Sequence, residues 1–394
     1  MKPLALLAAA LLAVSCSSVA PTATPTLAPN PTTAPTPSLA TSPSSAPSPT
    51  IAPLVDGPLP AEMAAALQAV LDDYIVEHHL APSISAAVLV PGVGAWYGAS
   101  GLAETAGEVA ATPDTVYAVG SITKTFLAAL ILRLVEEGFL GLDDPAADNL
   151  GPVAGSKTNG ATIRQLLGMR SGIDNYTDHF DQSLDTAYSI ADLVDLVGPP
   201  HFAPGEEFEY SNTNYLLLGL IAEVVTGGPL GELLHEYLID RFDLTRTYYG
   251  ATDVAAEPLA HGYVTIDGAL TDVYDGSGHL PFANATGAAL GAGSMASTAA
   301  DIGRWIYLLY GGQVLRHESQ AELLDFSASI DYGLGTMRFV VPGGGQVVGH
   351  SGNIAGFMSA AYMARDSGTI AVILTNGETL DMSGALNRLF AAVR

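Results

Sequence analysis

One cysteine occurs in 394 residues, at Cys16, so no intrachain disulfide and no cysteine-ligated zinc site can form. Basic residues are scarce too. The chain carries 14 Lys+Arg against 40 Asp+Glu, a net charge of −26 and a sequence pI of about 4.3. Such a surface repels phosphate backbones and anionic lipid heads, which argues against nucleic acid as a partner. Past the first residues, no apolar run is long enough to cross a bilayer. There is no H-E-x-x-H zinc motif either, since Tyr237, Leu238 and Ile239 follow His235-Glu236. Apolar residues are plentiful: 48% of the chain is hydrophobic, ample for a globular core.

Lys2 and the eleven-residue apolar run Leu4 to Val14 form a signal-peptide pattern, too short for a stable span. The run ends in Ala13-Val14-Ser15-Cys16, which resembles the lipobox of bacterial lipoproteins, with Ala13 where Leu is usual. That resemblance implies a lipoprotein-type signal over residues 1–16, cut so that Cys16 becomes the new N-terminus and is acylated; the other reading is an ordinary secretory signal with a chance cysteine. A tether follows over residues 17–56. From Ser17 to Thr50, Pro, Ser, Thr and Ala supply 30 of 34 residues, with no charge. Proline at this density favours extended chain, and the segment reaches roughly 100 Å at full stretch. The expected location is extracytoplasmic, lipid-anchored or secreted, with the anchor as the one membrane contact.

The remaining residues, 57–394, are expected to form a mixed α/β domain. Met63, Leu67, Val70, Leu71, Tyr74 and Ile75 fall at helical spacing, and Pro82 ends that helix. His78 and His79 lie in its last turn, where capping and solvation account for them better than metal binding. Ser83 to Val90 and Ala95 to Ser100 read as a strand hairpin. Residues 121 to 325 are mostly helical patterns. Strands return at Tyr332 to Val341, Gln346 to His350, Phe357 to Ala364 and Thr369 to Thr375, and a last helix carries Met382, Leu386, Leu389 and Val393 on one face. The order implies an antiparallel sheet completed by both termini, flanked by helices, with an all-helical subdomain inserted.

Three stretches carry chemistry. In Gly120-Ser121-Ile122-Thr123-Lys124, a short strand pattern turns into a helix that is apolar nearly all round, so it is buried. Ser121 and Lys124, three residues apart, share a face. Only three lysines occur in the chain, and this one sits on its most apolar helix. A snorkelling lysine beside an N-cap serine is the structural explanation. The chemical one is a hydroxyl nucleophile with a desolvated amine as its base. The second stretch is Tyr210-Ser211-Asn212, on a loop before a helix, where Tyr210 is able to shuttle a proton and Asn212 offers donor and acceptor. The third is Gly349-His350-Ser351-Gly352-Asn353 at a strand end. It misses the Gly-x-Ser-x-Gly elbow at its last residue, and His350 is the last histidine, so no triad histidine follows Ser351.

In that order, S-x-x-K, Y-S-N and H-S-G resemble the serine penicillin-recognising hydrolases, in the branch shared by class C β-lactamases, serine D-alanyl-D-alanine carboxypeptidases and related esterases. The resemblance covers about residues 60 to 394, with supporting stretches at Ala161 to Leu167, Ser171-Gly172 and Gly291 to Thr298. It implies Ser121 as the acylated nucleophile, Lys124 and Tyr210 sharing the proton transfers, and the backbone N–H groups of Ser121 and Asn353 as the oxyanion hole. It further implies substrate binding by Asn212, His350, Ser351 and Gly352, and no metal or cofactor. The third motif is H-S-G rather than the K-T-G of many β-lactamases, and the middle one lacks the S-D-N form. A cationic His350 binding a substrate carboxylate favours a D-Ala-D-Ala carboxypeptidase or related D-amino-acid peptidase acting on peptidoglycan peptides or small molecules. A carboxylesterase, a β-lactamase and a penicillin-binding sensor that no longer turns over are the other readings.

Overall fold

The computed structural model describes residues 52–77, 81–180, 186–329, 331–378 and 381–394. The signal, Cys16, the tether through residue 51, and His78 and His79 lie outside the described residues. Seven strands form one antiparallel sheet: β1 (Ser83–Val90), β2 (Gly94–Glu104), β3 (Val109–Ala110), β4 (Met337–Val341), β5 (Gly345–Ile354), β6 (Phe357–Ala364) and β7 (Ile370–Thr375). Their order is β3-β2-β1-β7-β6-β5-β4. The two chain ends therefore meet at the β1–β7 pair, where Ile84 faces Thr375 and Leu89 faces Ile370.

Five helices of ten residues or more are labelled in chain order: α1 (Ala61–Glu77), α2 (Thr123–Glu137), α3 (Asn212–Thr226), α4 (Ala299–Tyr310) and α5 (Met382–Ala391). The central strands read as unbroken apolar runs because both sheet faces are covered. Ile84, Ala86, Val88, Ala371 and Ile373 pack with Leu67, Leu71 and Tyr74 of α1 and with Leu386 and Leu389 of α5. The alternate residues Ala87, Leu89, Val372 and Leu374 face the other way, into one core with Ile302, Trp305 and Ile306 of α4 and the apolar body of α2. Thr298 caps α4 by accepting from Asp301 N–H at 3.2 Å.

The insert between β3 and β4 holds most of the helices but is not all-helical as expected. It also holds a three-stranded sheet, Tyr117–Ala118, Met295–Ser297 and Tyr248–Tyr249, and the hairpin Tyr263–Ile266 and Ala269–Asp272. The strand expected at Tyr332 begins only at Met337, because Gly333 N–H closes a turn onto Thr336 O at 2.8 Å.

The tether boundary also shifts. Residues 52–56 lie against the domain at the β1–β2 turn. Gly92 N–H donates to Pro53 O at 3.0 Å, Ala95 N–H to Gly57 O at 3.0 Å, and Tyr307 hydroxyl to Ala52 O at 3.4 Å. Among the described residues no single helix is long and apolar enough to cross a membrane.

Trp305 ties α4 to α2. It is fully buried, stacks on Phe126 with ring centroids 4.1 Å apart, and donates from Nε1 to Thr125 Oγ1 at 2.9 Å. Trp305→Ala is expected to lower unfolding free energy by about 3–5 kcal/mol, read from the midpoint of a urea titration.

Candidate active site

The site forms where α2 starts beneath the end of β5. Residues 120–122 make a single 3₁₀ turn before α2, so Ser121 stands one step ahead of the helix proper. Two bonds pin the turn. Thr123 hydroxyl donates to Gly120 O at 2.7 Å, and Ser359 hydroxyl of β6 donates to Val119 O at 2.7 Å.

Lys124 is fully buried on the first turn of α2. Its Nζ has three partners: Ser121 Oγ at 2.9 Å, Asn212 Oδ1 at 2.8 Å and the carbonyl of Ala292 at 2.6 Å. Burial pulls its pKa well below the ordinary lysine value, so the amine is held uncharged. A neutral amine has two N–H donors and one lone pair. Asn212 Oδ1 and Ala292 O only accept, so they take both donors. The lone pair is left for the Ser121 hydroxyl, which donates to it, as a general base requires.

Tyr210 touches both Ser121 and Lys124. Its hydroxyl is hydrogen-bonded to Ser121, and its ring centroid is 5.0 Å from Lys124 Nζ. Burial raises the phenol's pKa above its usual value, partly offset by that hydrogen bond, so Tyr210 rests protonated. The ring of Tyr215, on α3, lies 5.5 Å from the same amine. Two aromatic faces thus border the nitrogen and stabilise a positive charge appearing there.

Asn212 proves to be the first residue of α3 rather than part of the loop. Its backbone N–H donates to Asn175 Oδ1 at 2.9 Å and its Nδ2 to Thr177 Oγ1 at 3.1 Å. The Ser211 and Thr213 hydroxyls both donate to Asp174 O, at 3.2 and 2.6 Å. The segment 174–177 therefore fixes the middle motif.

The end of β5 closes over the turn through two glycines. Gly120 has φ +50°, and a Cβ there would stand 2.9 Å from Asn353 N. A Cβ on Gly352 would collide with Val119 O and stand 2.9 Å from Ser121 N. The backbone of residues 352–353 thus packs directly on that of residues 119–121, closely enough that glycine is needed at both 120 and 352.

His350 corrects the expectation of a carboxylate-binding cation. It is fully buried, and loss of water pulls its pKa down to about 3, with a proton on Lys124 pushing the same way whenever one is there. The ring is neutral near pH 7. Its Nδ1 lies 2.5 Å from Ser351 O and its Nε2 3.1 Å from Tyr332 hydroxyl. Ser351 also departs from expectation. Strand residues alternate in direction, and its hydroxyl meets Met337 Sδ at 3.7 Å instead of facing the nucleophile.

Sequence reasoning missed Ala292 O, Thr177, Tyr215 and Tyr332. A backbone carbonyl leaves no side-chain signal, although the Gly291 to Thr298 stretch already pointed at the segment. Among the described residues no group of three or more His, Cys, Asp or Glu is placed to hold a metal ion.

A family model described as Beta-lactamase matches residues 39–393. Penicillin-binding protein 4* of Bacillus subtilis (strain 168) is 28% identical over 284 residues, which is 67% of this chain and 61% of that protein. The chain spans about a third to three fifths of the length of the curated relatives it matches. D-amino acid amidase from Ochrobactrum anthropi SV3, solved with L-phenylalanine amide, superposes with a TM-score of 0.74 at 25% identity over 84% of this chain and 99% of that one. D-stereospecific amidohydrolase from Streptomyces sp. gives 0.68 at 30% identity over 80% and 94%.

Lys124→Met keeps the volume and removes the base. It is expected to lower kcat/KM on an activated aryl ester at least about 100-fold. In the wild type, kcat/KM rises with pH as the amine loses its proton, with a midpoint well below the lysine reference of 10.5. Lys124→Met should abolish that rise, as pH–rate profiles of both proteins will read.

Proposed function

The chain belongs to the beta-lactamase family, and from that we propose an extracytoplasmic serine hydrolase that cleaves amide bonds of D-amino acids through an acyl-enzyme on Ser121. The observation that carries this reading is the uncharged, buried Lys124 amine 2.9 Å from Ser121 Oγ.

The steps follow from the hydrogen bonds. Ser121 Oγ attacks the substrate carbonyl carbon as its proton passes to Lys124 Nζ. The N–H groups of Ser121 and Asn353 receive the oxyanion, in an arrangement set before the substrate arrives. The Tyr210 hydroxyl gives its proton to the departing nitrogen, and the Lys124 ammonium returns one to Tyr210. The acyl-enzyme is left with a neutral amine. Water then attacks the ester by the reverse sequence, giving its proton to the same pair and freeing Ser121.

The substrate follows partly from the His350 correction. A neutral imidazole gives no charge to a C-terminal carboxylate, which removes the main argument for a D-Ala-D-Ala carboxypeptidase. The similar amidase and amidohydrolase are both named for D-configured substrates, and they favour D-aminoacyl amides and peptides. Peptidoglycan peptides belong to that chemical class. The lipobox-like stretch and the tether support anchoring through Cys16 on the outer face of a membrane. Expressed in a bacterial host, Cys16→Ser is expected to move the protein from the membrane pellet to the soluble fraction.

Fluorescent penicillin or an aryl ester is expected to label the wild type and not Ser121→Ala. Turnover should be faster for D-phenylalanine amide than for its L-enantiomer, D-Ala-D-Ala peptide, aryl acetate or a chromogenic cephalosporin. A better rate on the ester or the cephalosporin would move the assignment to esterase or β-lactamase. Lasting acylation without product would make it a sensor. No label from any of these reagents would sink the nucleophile assignment itself.

A further inference from the structure

Tyr332 belongs to none of the three motifs, yet it is buried where they meet. Its ring stands edge-on to Tyr210, with centroids 6.2 Å apart at 86°, and edge-on to His350, at 5.8 Å and 87°. Phe208 tilts against it at 5.4 Å. One side chain therefore touches both the loop carrying the proton donor and the strand carrying the oxyanion N–H.

The direction of its hydrogen bond is fixed by chemistry. The Ser351 carbonyl only accepts, so His350 Nδ1 carries the hydrogen. In the neutral ring Nε2 is then a bare acceptor for the Tyr332 hydroxyl 3.1 Å away, which divides its one hydrogen between that nitrogen and the Tyr215 hydroxyl, whose own hydrogen goes to Leu167 O at 3.0 Å. We infer that Tyr332 is a positioning residue: its donated hydrogen bond keeps His350 in the uncharged Nδ1–H tautomer, and its ring holds the Tyr210 phenol against Ser121. This rests on the acyl-enzyme reading above.

The charge state of His350 matters because Lys124 must accept a proton during acylation. An imidazolium beside it would disfavour the ammonium. The titratable groups facing this assembly are Lys124 from α2, Tyr210 from the loop, Tyr215 from α3, Tyr310 from α4 and Tyr362 from β6. Arg338 of the neighbouring β4 is turned onto the Phe326 ring, 4.2 Å from its centroid. Without the Tyr332 donor, the bare Nε2 becomes easier to protonate, so His350 ionises at higher pH.

Tyr332→Phe keeps the ring and removes the donor. With an aryl ester, kcat is expected to fall about tenfold near pH 7 and further as pH is lowered, with KM within about twofold. Adding His350→Gln should remove the pH-dependent part of that loss, because glutamine does not titrate. In the wild type at pH 7, ¹⁵N NMR of the His350 ring should show a protonated Nδ1 and a bare Nε2; this needs neither turnover nor a folded variant. An Nε2–H tautomer, an imidazolium, or a Tyr332→Phe loss that is absent or uniform across pH overturns the inference. A wild type that takes up no acyl group overturns the reading beneath it, and labelling separates the two failures.

Discussion

A lysine amine kept out of water without a carboxylate to neutralise it is the constraint around which this molecule is arranged. Ionised and unpaired, such a group would cost several kcal/mol to bury, so it sheds its proton instead. The fold then supplies what a neutral amine needs: Asn212 Oδ1 and Ala292 O for its two hydrogens, and Ser121 for its lone pair. A carboxylate in place of either acceptor would hold the ammonium permanently and leave the hydroxyl without a base. The Tyr210 and Tyr215 rings are a milder partner, able to ease a charge that appears only while the proton is in transit.

The same constraint accounts for the assembly from distant stretches. The amine comes from α2, the hydroxyl from the 3₁₀ turn before it, the amide from α3, the carbonyl from the turn before Met295–Ser297, and the strand end packed on that 3₁₀ turn from β5. Close approach of these pieces is possible because residues 120 and 352 have no side chain to keep the strand and the turn apart. Membership in the beta-lactamase family fits a scaffold in which the reacting groups are fixed by long-range packing.

Much of this was legible before any coordinates. The Ser121 and Lys124 spacing carries its own geometry, since residues three apart on a helix face the same way. The apolar runs at residues 83–90 and 370–375 announced a sheet built by both ends of the chain, and they are its central pair. The charge of His350 was misread because composition supplies the reference pKa of histidine and says nothing of burial. Ser351 was misread because motif spacing does not state which face of a strand a side chain takes. Ala292 acts through its carbonyl, which every residue has. Tyr332 lies in a stretch that reads as strand, and only the turn at Gly333 sets it under the site.

The docking of residues 52–58 at the β1–β2 turn has a mechanical consequence. Pairing runs across the sheet from Asn353 through Met358 and Thr375 to Ile84 at one end, and from Val348 through Met363 and Ile370 to Leu89 and Ala95 at the other. Five residues along the strands and four strands across place the leash's point of attachment roughly 25 Å, corner to corner, from the nucleophile. A domain hung from its surface by that leash would carry its mouth on the outward side. Any pull along the leash would load the β1–β2 hairpin first and spare the reacting groups.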